Sequence, residues 1–248
     1  MQIRKTLQYT ILYGMIIERI QATGGVQMKK ILPKYTYIPL LCVVVMNFVA
    51  FYATRPINSG WQHYNMTIFL DEMIPFVPAM ISVYLLCYAT WVGGGVIIAR
   101  ESPAVCYEVL TGELIAKLLA MVLFLAVPTT MVRAEITGND IFSELTRMVY
   151  RMDTPDNLFP SVHCLENWIV FRGICKCKSL GRGWRWAALI AAILVFASTV
   201  MVKQHVVADI LGAMAVVEIG LWLSAKLNAG RLFERINRSL KLHPEATK

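Results

Sequence analysis

From Pro160 to Asp209 the chain reads PSVHCLENWIVFRGICKCKSLGRGWRWAALIAAILVFASTVMVKQHVVAD. A histidine stands near each end, His163 and His205, and the 248-residue chain has only 4 in all. Between them lie a short apolar run, Cys164 to Cys177, a basic loop, and a longer apolar run, Trp186 to Val202. How the short run is read decides the fold. If both runs cross a membrane, the two histidines meet on one face and the basic loop lies on the other. If the short run stops short, the histidines end a membrane apart.

Composition favours a membrane throughout. The chain is 57% hydrophobic and 16% charged, far more apolar than an ordinary soluble domain. Its apolar residues are gathered into long runs. Outward from the central stretch, further spans are expected at about 35–54, 73–99, 114–131 and 205–225. Pro75 and Pro78 are placed in the first turns of the second, where proline is tolerated. The third begins at Leu114, so Glu113 and Lys117 read as an i,i+4 ion pair at the membrane surface. Asp209 and Glu218 fall inside the last span, and an ionisable group there needs a partner. Glu218 lies on a different face from Asp209 and is expected to bond within the bundle.

Charge gives the sidedness. Residues 1–34 carry six basic side chains against Glu18, and the loop after the short run has Arg172, Lys176, Lys178, Arg182 and Arg185 with no acid. The tail from Lys226 has six basic and two acidic residues. The connections after the first and third spans are slightly acidic. Positive charge marks the cytoplasmic side. The expected fold is therefore all-α: a polytopic bundle of six transmembrane helices with both termini cytoplasmic. Its parts are a basic extension (1–34), the bundle (35–226) and a basic cytoplasmic tail (227–248). The formal charge of +8 reports topology and attraction to anionic lipid; nothing reads as a nucleic-acid motif.

Two readings of the N-terminus stand side by side. Leu7 to Ile20 fits an amphipathic interfacial helix. Alternatively, Gly24-Gly25-Val26-Gln27 is encodable by a ribosome-binding sequence ahead of Met28, which makes residues 1–27 an untranslated leader. The six cysteines show no disulfide framework and read as free thiols.

The chemistry lies at the ends of the opening stretch. His205 and Asp209 are four apart, one face of a helix, so the carboxylate can accept the imidazole N–H and steady a cation formed on attack. His163 can protonate a leaving group. Such a pair suits phosphoryl transfer.

Pro160-Ser161-Val162-His163, with Ser198-x6-His205-x3-Asp209, resembles the second and third motifs of the type 2 phosphatidic acid phosphatase superfamily of membrane lipid phosphatases and phosphotransferases. The run Ser198-Thr199-x3-Lys203-Gln204-His205 is similar to the branch of inositol phosphorylceramide synthases and their bacterial relatives, as is Asp71-x3-Pro75-Phe76-x-Pro78. The resemblance covers about residues 35–226, with its specific residues in 128–209. It implies a phosphohistidine on His205, oriented by Asp209, with His163 as acid and then base. It implies Ser161, Arg133 and Lys203 as phosphate ligands. No metal and no cofactor are implied. Arg147 and Arg151, four apart on an expected short helix, are further phosphate-clamp candidates.

The chain departs from the pattern at four places. Ala126 and Ala134 replace the Lys and Pro of the first motif, Val162 the Gly of the second, and Thr199 the Arg of the third. The expected activity is a lipid phosphate or pyrophosphate phosphatase on the extracellular side of a bacterial cytoplasmic membrane. The alternatives are a phosphotransferase that passes a phosphorylated headgroup to an acceptor alcohol, and a non-catalytic lipid-binding or scaffold protein. The expected partners are a lipid phosphate and the bilayer itself.

Overall fold

The computed structural model describes residues 32–242. The N-terminal readings, and His243, lie outside them. The described chain is predominantly helical, with almost no strand. Helix α1 (Tyr37–Phe48) continues through a π-helical turn (Val49–Ala53) into α2 (Thr54–Asn58). There follow α3 (Phe69–Met73), α4 (Ile81–Glu101), α5 (Pro103–Ala126), α6 (Ile141–Met152), α7 (Val162–Lys176), α8 (Arg182–Met201), α9 (Val207–Lys226) and α10 (Arg231–Ser239). Two-residue strands, β1 (Tyr64–Asn65) and β2 (Thr129–Thr130), pair in parallel beside the site.

Five helical stretches are long and apolar enough to cross a membrane: Lys34–Asn58, Pro78–Glu101, Pro103–Ala126, Arg182–Met201 and Val207–Lys226. Their outward faces carry large apolar side chains such as Leu41, Val45, Leu86, Val122, Ile190, Leu211 and Trp222. Inward, Phe124, Leu165, Ile169, Phe196, Val217 and Leu221 form the main core. Helices α5 and α9 approach most tightly where glycines meet; a Cβ on Gly220 would stand 2.3 Å from the Gly112 carbonyl oxygen.

Helix α7 is shorter but runs between the same two ends as α4. Tyr84, at the start of α4, bonds His163 at the start of α7. Glu101, at the end of α4, accepts from the Lys178 N–H just past the end of α7, at 2.7 Å. From Tyr84 to Glu101 the rise is about 25 Å; from His163 to Lys178, finishing in extended chain, it is about 26 Å. The ends of the described chain also meet. Asn237 of α10 donates to the Tyr35 carbonyl at 2.9 Å and to the Tyr107 hydroxyl at 3.1 Å. Phe233 and Asn237 are buried, so α10 packs on the bundle.

Two span limits need correction. Residues 73–77 are not in the second long helix. Met73 ends α3, Pro78 opens a 3-10 turn, and α4 starts at Ile81. The third begins eleven residues earlier than expected, at Pro103, because Ser102 caps it by accepting from the Val105 N–H at 3.2 Å and proline suits the first helical position. Glu113 and Lys117 therefore lie well inside the helix.

Candidate functional site

The site is built where α8 turns into α9. Helix α8 ends because Lys203 takes a left-handed conformation, φ 51°. Its N–H donates to the Val200 carbonyl at 3.2 Å, and the Gln204 N–H returns to Thr199 at 2.9 Å, closing the helix as a glycine usually would. A lysine held there is backbone strain of about 1–2 kcal/mol. The turn delivers His205 just ahead of α9, whose first turn contains Asp209.

His205 and Asp209 do meet, though not as two residues on one helical face. Asp209 Oδ2 accepts the Val206 N–H at 3.0 Å, capping α9, and the His205 Nδ1–H also at 3.0 Å. One carboxylate oxygen thus ends the helix and fixes the imidazole. The acceptor assigns the Nδ1–H tautomer to His205, leaving Nε2 with its lone pair.

His163 comes from the first turn of α7. Its ring centroid is 5.8 Å from that of His205. Ser161 caps this helix: its Oγ accepts the Cys164 N–H at 3.2 Å, and its own N–H donates to the Asp209 carbonyl at 3.1 Å. The Ser161 side chain is fully buried in this capping role. It holds the two histidine-bearing helix starts together rather than facing a ligand.

Helix α4 contributes what the sequence reading missed. The buried Tyr84 hydroxyl is 2.8 Å from His163 Nε2, with Tyr88 at 3.5 Å. The Tyr84 and Trp91 rings lie 4.6 and 5.5 Å from the imidazole. With Nε2 taken by Tyr84, the open atom of His163 is Nδ1, which is buried without a partner. Aromatic residues in a span are read as packing by default, so no pattern marked Tyr84.

A cavity of about 200 Å³ opens against His205, lined also by Arg133, Lys203, Asp71 and Glu72. His163 is not among its walls. Arg133 donates to the Tyr150 carbonyl at 3.0 Å and to Gln204 Oε1 at 2.5 Å, while its Nε is buried without a partner. Its guanidinium lies 4.5 Å from the Tyr150 ring centre. Burial draws the Arg133 pKa below the ordinary guanidinium value, with Asp153 opposing; an arginine stays charged even so. Burial pushes the Tyr150 phenol up to about 12. That neutral hydroxyl donates to the Val202 carbonyl at 2.7 Å.

Lys203 Nζ donates to the carbonyls of Asp71 and Ile74 at 2.8 and 2.6 Å, so two of its three donors cap the end of α3. Asp71 in turn accepts the Ile68 N–H at 2.9 Å and the Val207 N–H at 2.7 Å, stitching α3 to the start of α9.

The two remaining arginines stand apart. Arg147 is spent on Glu144 and on the Ile136 and Gly138 carbonyls, folding the connection ahead of α6. Arg151 is exposed and does not line the cavity. An arginine beside several unpaired loop carbonyls satisfies them first, which spacing alone does not reveal. Among the described residues, no three of His, Cys, Asp and Glu are grouped to hold a metal ion. Glu218 accepts from Trp168 Nε1 at 2.8 Å and pairs with Arg172, half-exposed on the outside of α7 and α9.

No family model, curated protein or solved structure matches this chain.

What the arrangement can do chemically follows from its own atoms. It offers one imidazole nitrogen free to attack, oriented by a buried carboxylate, and a second imidazole whose ring centre is 5.8 Å away. Two cations stand beside the first.

Proposed function

We propose that the protein is a membrane-embedded lipid phosphate phosphatase working through a phosphohistidine, as its motifs resemble. The observation that carries this reading is the pair of imidazoles 5.8 Å apart, His205 fixed by Asp209, next to a cavity holding Arg133 and Lys203. That spacing admits one phosphorus between the rings.

The His205 Nε2 lone pair attacks phosphorus. The bond to the lipid oxygen breaks, and His163 Nδ1–H gives that oxygen its proton, so a lipid alcohol leaves. Water then attacks the phosphohistidine while His163 takes its proton, which restores both rings and releases phosphate. Arg133 and the third donor of Lys203 neutralise the non-bridging oxygens. His163 acts from its cation: the Tyr84 oxygen accepts the Nε2–H throughout, while Nδ1 loses its proton to the leaving oxygen and regains one from water.

Six passes complete the topology, with α7 as the fourth and the site on the outer face of the membrane. The shared ends of α4 and α7, the contact between Asn237 and Tyr35 at the two ends of the described chain, and the basic loop after α7 all support this.

One feature favours transfer as a second reading. The cavity balances Arg133 and Lys203 against Asp71 and Glu72, so its wall has no net positive charge. A monoanionic phosphodiester, the donor in headgroup transfer, suits it better than a phosphomonoester dianion. A panel of lipid phosphates and phosphodiesters, supplied with an acceptor alcohol, separates the two by free phosphate against new lipid. Acid-labile phosphate on the wild-type chain, missing from His205→Ala, is the expected result. Binding without turnover, unchanged in His205→Ala, would leave a lipid-binding scaffold.

A further inference from the structure

Deep in the bundle, three ionisable side chains converge that the proposed reaction does not use. Lys117 Nζ lies 2.8 Å from Glu113, one turn away on α5, and 2.7 Å from Glu166 of α7. All three are buried, at 4%, 6% and 8% exposure. On the next turn-face of α5, Leu118 and Val122 point outward, so the cluster lies at the depth of the apolar surface. Lys117 is about 14 Å along the helix from Ala126, and Glu113 is deeper by a further turn.

Fully ionised, this triad has two negative charges and one positive. In an apolar interior the unmatched charge costs several kcal/mol, and such a group neutralises itself instead. Two carboxylates sharing one site resist ionising together. The neighbours offer no second cation. Among the described residues, the charged groups acting on Glu113 and Lys117 are each other and Glu166. Helix α1 brings only the Val43 carbonyl, 3.5 Å from the ammonium. Helix α4 brings the Cys87 thiol and α7 the Cys164 thiol, both buried. On α9, Asp209 and Glu218 are committed to His205 with Val206, and to Arg172 with Trp168.

We propose that Glu113, Lys117 and Glu166 form a proton-binding site in the bundle core, with one proton held between the two carboxylates over the ammonium. The proton comes from solvent and forms an O–H bond on either carboxyl, and the triad becomes neutral. The loaded site ties α5 to α7 one turn below His163. It stands whether or not the chain turns over lipid phosphate.

The test is infrared spectroscopy of the full chain in lipid nanodiscs at neutral pH, in water and in deuterium oxide. A protonated-carboxyl stretch that shifts on deuteration is expected in the wild type. It should vanish in Glu113→Gln and in Glu166→Gln, because each leaves one carboxylate matched by Lys117. In Lys117→Met both carboxyls should protonate, roughly doubling the band. The near-isosteric glutamine variants keep the comparison available if Lys117→Met fails to fold. A wild type without the band, or a band that persists in both glutamine variants, overturns the proposal.

Discussion

Replacing Asp209 by Asn distinguishes charge from geometry at the proposed nucleophile. In the native site a single oxygen, Oδ2, accepts both the His205 Nδ1–H and the Val206 N–H, each at 3.0 Å. The other oxygen, Oδ1, is buried without a partner. An amide can put its oxygen in the Oδ2 position and keep both bonds, with its NH2 in the empty place. The tautomer of His205 is then preserved and only the charge is lost. A hydrogen bond to a charged group contributes about 1.5–3 kcal/mol and a neutral one about 0.5–1.5, so the ground-state loss is about 1–1.5 kcal/mol. The positive charge that grows on the ring during attack makes the loss larger in the transition state by a further ~1–3 kcal/mol, and at 1.36 kcal/mol per decade that excess is about 10–100-fold in kcat. KM should hardly change, because Asp209 does not line the cavity. Asp209→Ala removes both bonds and should cost about 10³-fold or more, with a stability loss of about 1–3 kcal/mol from the uncapped Val206 N–H. The assay is product release from the preferred lipid in nanodiscs, paired with thermal unfolding. A fall near 10⁴-fold in Asp209→Asn would mean that the tautomer had reversed, as the equivalent change does in a serine protease triad. Full activity in Asp209→Asn would remove the carboxylate from the mechanism. Either result refutes the account of one shared oxygen.

Tyr84→Phe should lower kcat about 10–100-fold with KM unchanged, and should shift the pH profile, since it removes the partner of His163 Nε2; an unaltered profile makes Tyr84 packing alone. Arg133→Lys loses the Gln204 and Tyr150 bonds together, and should raise KM about tenfold and lower the melting temperature, because an ammonium cannot reproduce the planar fork. Arg147→Ala should leave kcat/KM essentially intact while costing about 1–2 kcal/mol of stability, because its bonds hold the connection before α6; lost turnover would return it to the phosphate site. Gly220→Ala should destabilise by about 1–3 kcal/mol, read by thermal unfolding, because the added methyl meets the Gly112 carbonyl.

The apolar runs and their bounding charges were legible because each helix must present a face to lipid whatever its packing. The pairing of His205 with Asp209 was legible too, although its geometry was not. Asp209 is the third residue of α9 and reaches back over its start, an arrangement with the same four-residue spacing as a helical face. Arg133, Lys203 and Ser161 are the phosphate ligands the motif resemblance implies, and only the first two border the cavity. Ser161 was already claimed by the start of α7, as Arg147 was by loop carbonyls. Such competition from the backbone is invisible until the backbone is placed. The Glu113–Lys117 pair lies inside the helix and not at the surface because Ser102-Pro103 opens α5 eleven residues before its apolar run becomes continuous. Tyr84 had no signal at all. Its role depends on two helices, far apart in the chain, beginning side by side.

The shortness of α7 has a consequence of its own. Fifteen helical residues rise about 22 Å, while a hydrocarbon core is about 30 Å thick. A segment that anchors its basic end at one interface therefore begins several ångströms below the other. On the proposed six-pass topology that recess sets the two imidazoles just inside the hydrocarbon boundary, beneath the headgroups. On the proposed reading a lipid phosphate would reach them from the side by sinking a few ångströms, its tails still among their neighbours.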